Sequence, residues 1–129
     1  ESGAALKKFE EMCSVQSGHL TELKLATKSH AVLAPQAGYL THFNVEKIGL
    51  AGIVLRAGRM KISDVIHPSA AIEFHVKIGD QVKTGDPVFT IHGDESELFA
   101  SAEKMLLTSF EISLQKTPEH VLIKEVVTL

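Results

Sequence analysis

The sequence predicts an α+β domain organised around one core. Three observations carry this expectation. The run from Phe74 to His92 holds two Gly-Asp pairs, Gly79-Asp80 and Gly85-Asp86, set between short β-rich segments. Other stretches, Gly3 to Val15, Val45 to Leu55 and Ser96 to Leu107, repeat apolar residues at helical spacing. A chain of 129 residues, 44% of them hydrophobic, has enough apolar surface for one core and too little for two large domains.

Taken in order, Gly3 to Val15 reads as an amphipathic helix. Leu6, Phe9, Met12, Cys13 and Val15 lie toward one face and Lys7, Lys8, Glu10 and Glu11 toward the other. Ser2 is its candidate cap, and Gln16-Ser17-Gly18 its end. A helix this short needs a partner for its stripe, either the rest of this chain or a domain beyond it. His19 to Lys28 has no period and reads as a connector. Ser29 to Ala34 is apolar and stops at Pro35. Tyr39 to Asn44 reads as a strand with Tyr39, Thr41 and Phe43 on one side and Leu40 and His42 on the other. From Val45 the period becomes helical, capped by Asn44, with Gly58 as the expected left-handed residue after its end. Gly49 and Gly52 inside that helix predict close approach to a neighbouring backbone.

Met60 to Pro68 reads as a loop. Phe74, Val76 and Ile78 alternate with His75 and Lys77 as a strand, followed by a turn at Gly79-Asp80, a very short strand through Val82, a turn at Gly85-Asp86 and a strand over Val88 to Ile91. Ser96 is the expected cap of a helix ending near Leu107. Phe110, Ile112 and Leu114 then alternate as a strand, and Val121 to Val127 as a last one, apolar on both faces apart from Lys124 and Glu125 and so central in a sheet. The stretch Phe43 to Gly49 echoes Phe74 to Gly79, which predicts two interlocked β-halves closing on each other.

Composition excludes several function classes. A net charge of −3, with no run of Lys or Arg, gives no electrostatic reason for nucleic acid or an anionic membrane as partner. The single cysteine excludes an internal disulfide framework and fits a reducing compartment, hence a cytoplasmic location. No apolar run of about 18 residues and no signal-peptide pattern is present. The chain opens on Glu1, and its first residues read as the middle of a longer protein.

The candidate chemistries each have a structural competitor. Seven histidines invite a metal site, but none forms a helical HxxxH pair, and there is no Cys pair; His42 and His75 read as packing residues on strands. Cys13 reads as a small hydrophobe. Leu55-Arg56-Ala57-Gly58-Arg59 is basic and contains Gly, yet it follows a helix and lacks a phosphate-loop pattern, so helix capping by Arg56 and Arg59 is favoured. Asp64, Asp80, Asp86 and Asp94 are candidate acid/base carboxylates placed where Asp is useful to turns. Met60-Lys61 matches the pair that biotin carriers modify in a hairpin. An alternative reading is therefore a biotinyl- or lipoyl-like carrier module modified at Lys61; a solvated loop lysine is favoured, because Lys61 follows a helix instead of joining two symmetric halves. The residues alone predict no catalytic, cofactor-binding or metal-ligating residue in this chain.

Three stretches in order and spacing resemble a known family. These are Gly38-Tyr39 with Glu46-Lys47-Ile48-Gly49-Leu50-Ala51-Gly52, then Leu55 to Arg59, then Lys77 to Asp86. Together they resemble the C-terminal domain of pyrimidine-nucleoside phosphorylases, relatives of thymidine phosphorylase. Ala5 to Phe9 with Gln16 to His19 resembles the last helix of that family's preceding α/β domain. The resemblance implies an α/β-hammerhead with a barrel-sandwich hybrid core over 29–129, a linker over 19–28, and a terminal helix of the preceding domain over 1–18. It implies a homodimeric parent that converts a pyrimidine nucleoside and phosphate to free base and pentose 1-phosphate. It also implies that the isolated chain is an inactive support for the α/β domain, without a cofactor. Arg56 stands where the family usually has Gly, and Ser17 and His19 stand where Gly and Asp are expected.

Overall fold

The computed structural model describes residues 2–18, 20, 24–116 and 125. The elements run in the order α1 (Ala4–Val15), β1 (Ser29–Leu33), β2 (Gly38–Phe43), α2 (Val45–Val54), β3 (Ala71–Phe74), β4 (Gln81–Val82), β5 (Pro87–His92), a single 3-10 turn (Ser96–Leu98), α3 (Phe99–Leu107) and β6 (Phe110–Ser113). The strand expected over Val121 to Val127 lies outside the described residues. The fold is mixed α+β with two three-stranded antiparallel sheets, ordered β1-β5-β3 and β4-β2-β6. Each sheet takes strands from both sides of α2. Among the described residues neither sheet closes into a barrel.

The sheets meet through aromatic side chains. Phe89 on β5 is fully buried, with ring centroids 5.0 Å from Phe74, 5.6 Å from Phe43 and 5.9 Å from Phe110. Phe74 and Phe89 belong to one sheet, Phe43 and Phe110 to the other. The contacts with Phe74 and Phe110 are edge-to-face and that with Phe43 is tilted at 47°; edge-to-face pairs add about 0.5–1.5 kcal/mol each beyond burial. Over this core lie α2, which buries Ile48 and Ala51, and α3, which buries Phe99, Ala102 and Leu106. The two helices pack on each other, and α3 also touches β1.

Several details differ from the sequence reading. Leu40 is buried and His42 exposed, although simple alternation puts them on one side. The cause is a bulge: Leu40 pairs with Ile112 and His42 with Glu111, so Thr41 is an extra residue. Leu40 and Phe43 therefore share the core although three positions separate them. The strand expected over Phe74 to Ile78 lies earlier, at Ala71–Phe74, and Ile78 is 43% exposed. The Phe43–Gly49 and Phe74–Gly79 echo folds in two different ways, into a helix start after β2 and a turn after β3. All that matches is the contact of Phe43 with Phe74, 5.5 Å apart.

Helix ends follow a shared logic. Asn44 caps α2 by accepting from the Lys47 N–H at 3.0 Å, as the sequence predicts. Ser96 gives no side-chain cap; it opens the 3-10 turn. At the C-terminus of α2 the left-handed residue is Arg56, φ 63, and not Gly58. The Arg56 N–H donates to Ile53 O and the Ala57 N–H to Gly52 O, both at 2.9 Å, the paired bonds of a Schellman motif. Helix α1 ends the same way, with Ser17 at φ 59, Ser17 N–H to Ser14 O and Gly18 N–H to Cys13 O. Both left-handed positions are sites where the resemblance leads one to expect Gly. The glycines within α2 have another explanation than close packing. A Cβ on Gly49 or Gly52 would meet nothing within 4 Å. The small residues that these two helices bury in the core are Ala51 and Ala102, both fully buried.

Candidate functional site

The two Gly-Asp turns are copies of one device. Lys77-Ile78-Gly79-Asp80 and Lys83-Thr84-Gly85-Asp86 each have glycine at positive φ, 96 for Gly79 and 88 for Gly85. In each, the Asp N–H donates to the Lys carbonyl at 3.1 Å, and the Asp carboxylate accepts from the Lys N–H at 2.8 Å. Each turn then clasps one residue of a distant strand region. Gly79 N–H donates to Leu40 O, while Leu40 N–H donates to Asp80 O. Gly85 N–H donates to Ala34 O, while Ala34 N–H donates to Asp86 O. Leu40 and Ala34 are both buried. The carboxylates of Asp80 and Asp86 are thus engaged by backbone, which explains them without acid/base chemistry. The sequence reading caught the Gly-Asp pairs; the repeat of lysine three residues before each Asp was the further signal.

A second polar constellation was not anticipated. It gathers Arg56 from the end of α2, His67 and Ser69 from the loop before β3, and Asp94-Glu95 from the link between β5 and α3. Arg56 Nη2 lies 3.2 Å from Glu95 Oε2. His67 Nδ1 is 3.9 Å from Asp94 Oδ2 and His67 Nε2 is 4.0 Å from Glu95 Oε1. Ser69 donates its hydroxyl to Asp94 Oδ2 at 3.0 Å, and Lys28 Nζ donates to the Asp94 carbonyl at 2.8 Å. Nothing in local sequence marks Glu95 or His67 as partners, because they are far apart along the chain.

The remaining candidates are dispersed. His75 Nε2 is 2.7 Å from Thr90 Oγ1, and His92 Nε2 is 3.3 Å from Glu73 Oε2. His30 stacks near Phe99, and its Nε2 is 3.0 Å from Glu103 Oε2 without hydrogen-bond alignment. His42 is exposed on β2. Among the described residues no group of three or more His, Cys, Asp or Glu is placed to hold a metal ion. Cys13 is half-exposed on α1, a helix none of whose residues is buried. No described helix is long and apolar enough to cross a membrane. Met60 and Lys61 sit in an exposed loop where both their N–H groups donate to the Asp64 carboxylate. Asp64 is therefore a loop-ordering residue. Leu50, Ile53, Val54, Met60, Lys61 and Met105 border an open, mainly apolar depression of about 520 Å³. Arg59 is exposed.

Comparison with known proteins places this geometry. Residues 39–113 match the Pyrimidine nucleoside phosphorylase C-terminal domain family. A Legionella pneumophila (strain Corby) protein described as "Putative thymidine phosphorylase" is 38% identical over 96 residues, covering 74% of this chain and 17% of that protein. A "Pyrimidine-nucleoside phosphorylase" of Staphylococcus aureus (strain bovine RF122 / ET3-1) is 32% identical over 111 residues, covering 81% of this chain and 26% of that protein. The chain thus spans about a quarter or less of the length of these relatives. The match also corrects the carrier alternative. Lys61 belongs to a loop after α2, held by Asp64, within the region that matches a phosphorylase domain and not a carrier. From the matched region, which contains both clasping turns and the aromatic junction, the chain belongs to the family of pyrimidine nucleoside phosphorylase C-terminal domains.

Proposed function

We propose that this chain is the support domain of an enzyme that phosphorolyses pyrimidine nucleosides. In that reaction phosphate attacks the anomeric carbon, the bond to the base breaks, and pentose 1-phosphate and free base leave. The barrier is lowered by positioning the reactants and by stabilising the charge that develops on base and sugar. The polar groups of the twin turns and of the Arg56, His67 and Glu95 cluster are engaged in turns and segment-to-segment contacts, which suits a brace better than a reaction centre.

One observation carries the reading. Helix α1 leaves Leu6, Phe9, Met12 and Val15 exposed by 62, 52, 53 and 86%. An amphipathic helix with its stripe in water is incomplete. We assign 1–18 to the end of a preceding α/β domain, 19–28 to a linker and 29–129 to this domain. A domain edge just inside that linker is supported by the hydrogen bond from Ala26 N–H to Ser69 O. The finer fold is an α/β-hammerhead with a barrel-sandwich hybrid core, supported by the paired sheets and their shared aromatic junction. The parent is a cytoplasmic homodimer whose substrates are phosphate and a pyrimidine nucleoside, with no nucleic acid or membrane partner and no cofactor in this part.

The test compares the 129-residue chain with the complete protein, following uridine and thymidine conversion to free base with phosphate present. Turnover is expected only for the complete protein. Turnover by the chain alone overturns the support role, and failure of the complete protein on both nucleosides overturns the activity. Changing Leu6 and Phe9 to Asp in the complete protein is expected to lower its activity at least several-fold, because the bracing contact is lost; unchanged activity removes α1 from the interface.

A further inference from the structure

The segment from Ala57 to Ile66 leaves the body of the domain and returns to the same place. Its ends are joined where the His67 N–H donates to the Arg56 carbonyl at 2.8 Å. Surface segments closed at the base in this way are Ω-loops. This one has an apolar outer part: Met60, Ile62, Val65 and Ile66 are 77, 90, 67 and 43% exposed. Left free, such side chains would be driven to collapse on neighbouring apolar surface. Polar contacts hold the loop out at two levels. In the outer part, Asp64 accepts from the Met60 and Lys61 N–H groups at 3.1 and 2.9 Å, and its own N–H donates to Lys61 O at 3.0 Å. At the base, Asp94 and Glu95 face Arg56, His67 and Ser69 at the distances given above.

Arg56 is the informative residue. Its left-handed conformation costs an L side chain about 1–2 kcal/mol relative to an ordinary helical one. Glycine forms the same helix end without that cost. Glycine, however, has no guanidinium to reach Glu95.

We propose that the Asp94-Glu95 link is an ionic latch for the Ala57–Ile66 loop, and that Arg56 is the positioning residue that engages it. The latch fixes where the four exposed apolar side chains stand relative to α2 and α3. It ties the β5–α3 link to the loop base, where the His67 N–H to Arg56 O hydrogen bond joins the loop's own two ends. Asp94 is in turn anchored from β1's side by Lys28, whose carbonyl also accepts from the Gly93 N–H at 3.2 Å. The anchor is therefore part of the core sheet's edge, so the loop moves with the domain.

Hydrogen exchange on the 129-residue chain tests this, with wild type, Glu95→Gln and Arg56→Gly read residue by residue. In both variants the amides of Met60 to His67 are expected to exchange about 1.5- to 5-fold faster, the range an exposed ion pair supports; Ala57 is left out because its N–H closes the helix end that glycine relieves. The amides of Val88 to Ile91 in β5 are expected to stay unchanged. Raising salt from about 0.05 to about 1 M is expected to speed the loop amides in wild type more than in either variant, where only the longer His67 contacts are left to screen. Arg56→Gly relieves the backbone conformation, so it keeps a folded state in which the loop can be read. Loop exchange unchanged in Glu95→Gln, or accelerated equally in β5, overturns the latch. So does slower loop exchange in Arg56→Gly.

Discussion

Replacing Gly38 with Ala tests how the β4-β2-β6 sheet is held together. Gly38 has φ 153, and a Cβ there would lie 2.6 Å from Ser113 O and 2.7 Å from Ile112 Cγ2. Optimal carbon contacts are about 3.5–4.0 Å, so the added methyl falls about an ångström short. The obstacle is partly backbone, and it sits where Tyr39 pairs with Ser113 and Leu40 with Ile112. Strand β6 must shift, and with it the Gln36 Nε2 to Ile112 O bond of 3.0 Å. Overpacking of this kind costs about 1–3 kcal/mol, and a glycine-only backbone region adds about 1–3 kcal/mol. Lower entropy of the unfolded alanine chain returns about 0.4–1 kcal/mol. The expected loss is therefore about 1–5.6 kcal/mol, against total stabilities of about 5–15 kcal/mol for natural domains. Urea denaturation followed by circular dichroism reads it as a fall in midpoint of roughly 1 M or more at unchanged slope. Gly79→Ala is the control, because its Cβ would meet open space and it carries only the cost of φ 96. A Gly38→Ala protein as stable as Gly79→Ala would refute the packing argument.

Further outcomes follow from the same geometry. Gly49→Ala is expected to raise stability by about 0.5–1 kcal/mol, since the site is open and helical; a lower denaturation midpoint would mean that something unseen approaches that face. Arg56→Ala keeps the left-handed backbone and loses the Glu95 pair, so it should fall below wild type by about 0.2–1 kcal/mol. Arg56→Gly should exceed Arg56→Ala by about 0.5–1.5 kcal/mol, and the reverse order in urea would contradict the strain argument. Asp86→Ala and Asp80→Ala each remove a 2.8 Å acceptor for a turn N–H, costing about 0.5–1.5 kcal/mol apiece. Calorimetry would show this as melting temperatures lower by roughly 2–6 °C, and two unshifted melts would make the carboxylates dispensable.

Much of the fold was legible because its signals are local. Asn44 announced the start of α2 through its cap, and the glycines of the twin turns announced positive φ where only they are comfortable. What failed involved a longer reach. The bulge at Thr41 moved His42 out of Leu40's face because β6 pairs with β2 on both sides of it, and no window around Thr41 contains β6. Gly58 looked like the helix terminator by composition, yet Arg56 takes that conformation because hydrogen bonds to Gly52 and Ile53 complete the motif there. Family membership was readable because turn chemistry and spacing survive in sequence.

The sequence by itself determined the α+β class, the two turns and the start of α2, since each depends on residues within a few positions of one another, and the family through the order and spacing of three such motifs. Only the tertiary structure decided that Phe43, Phe74, Phe89 and Phe110 join the sheets, and that Arg56 meets Glu95. Those contacts link residues far apart in the chain, where the favourable term arises only after the chain has closed the intervening loops.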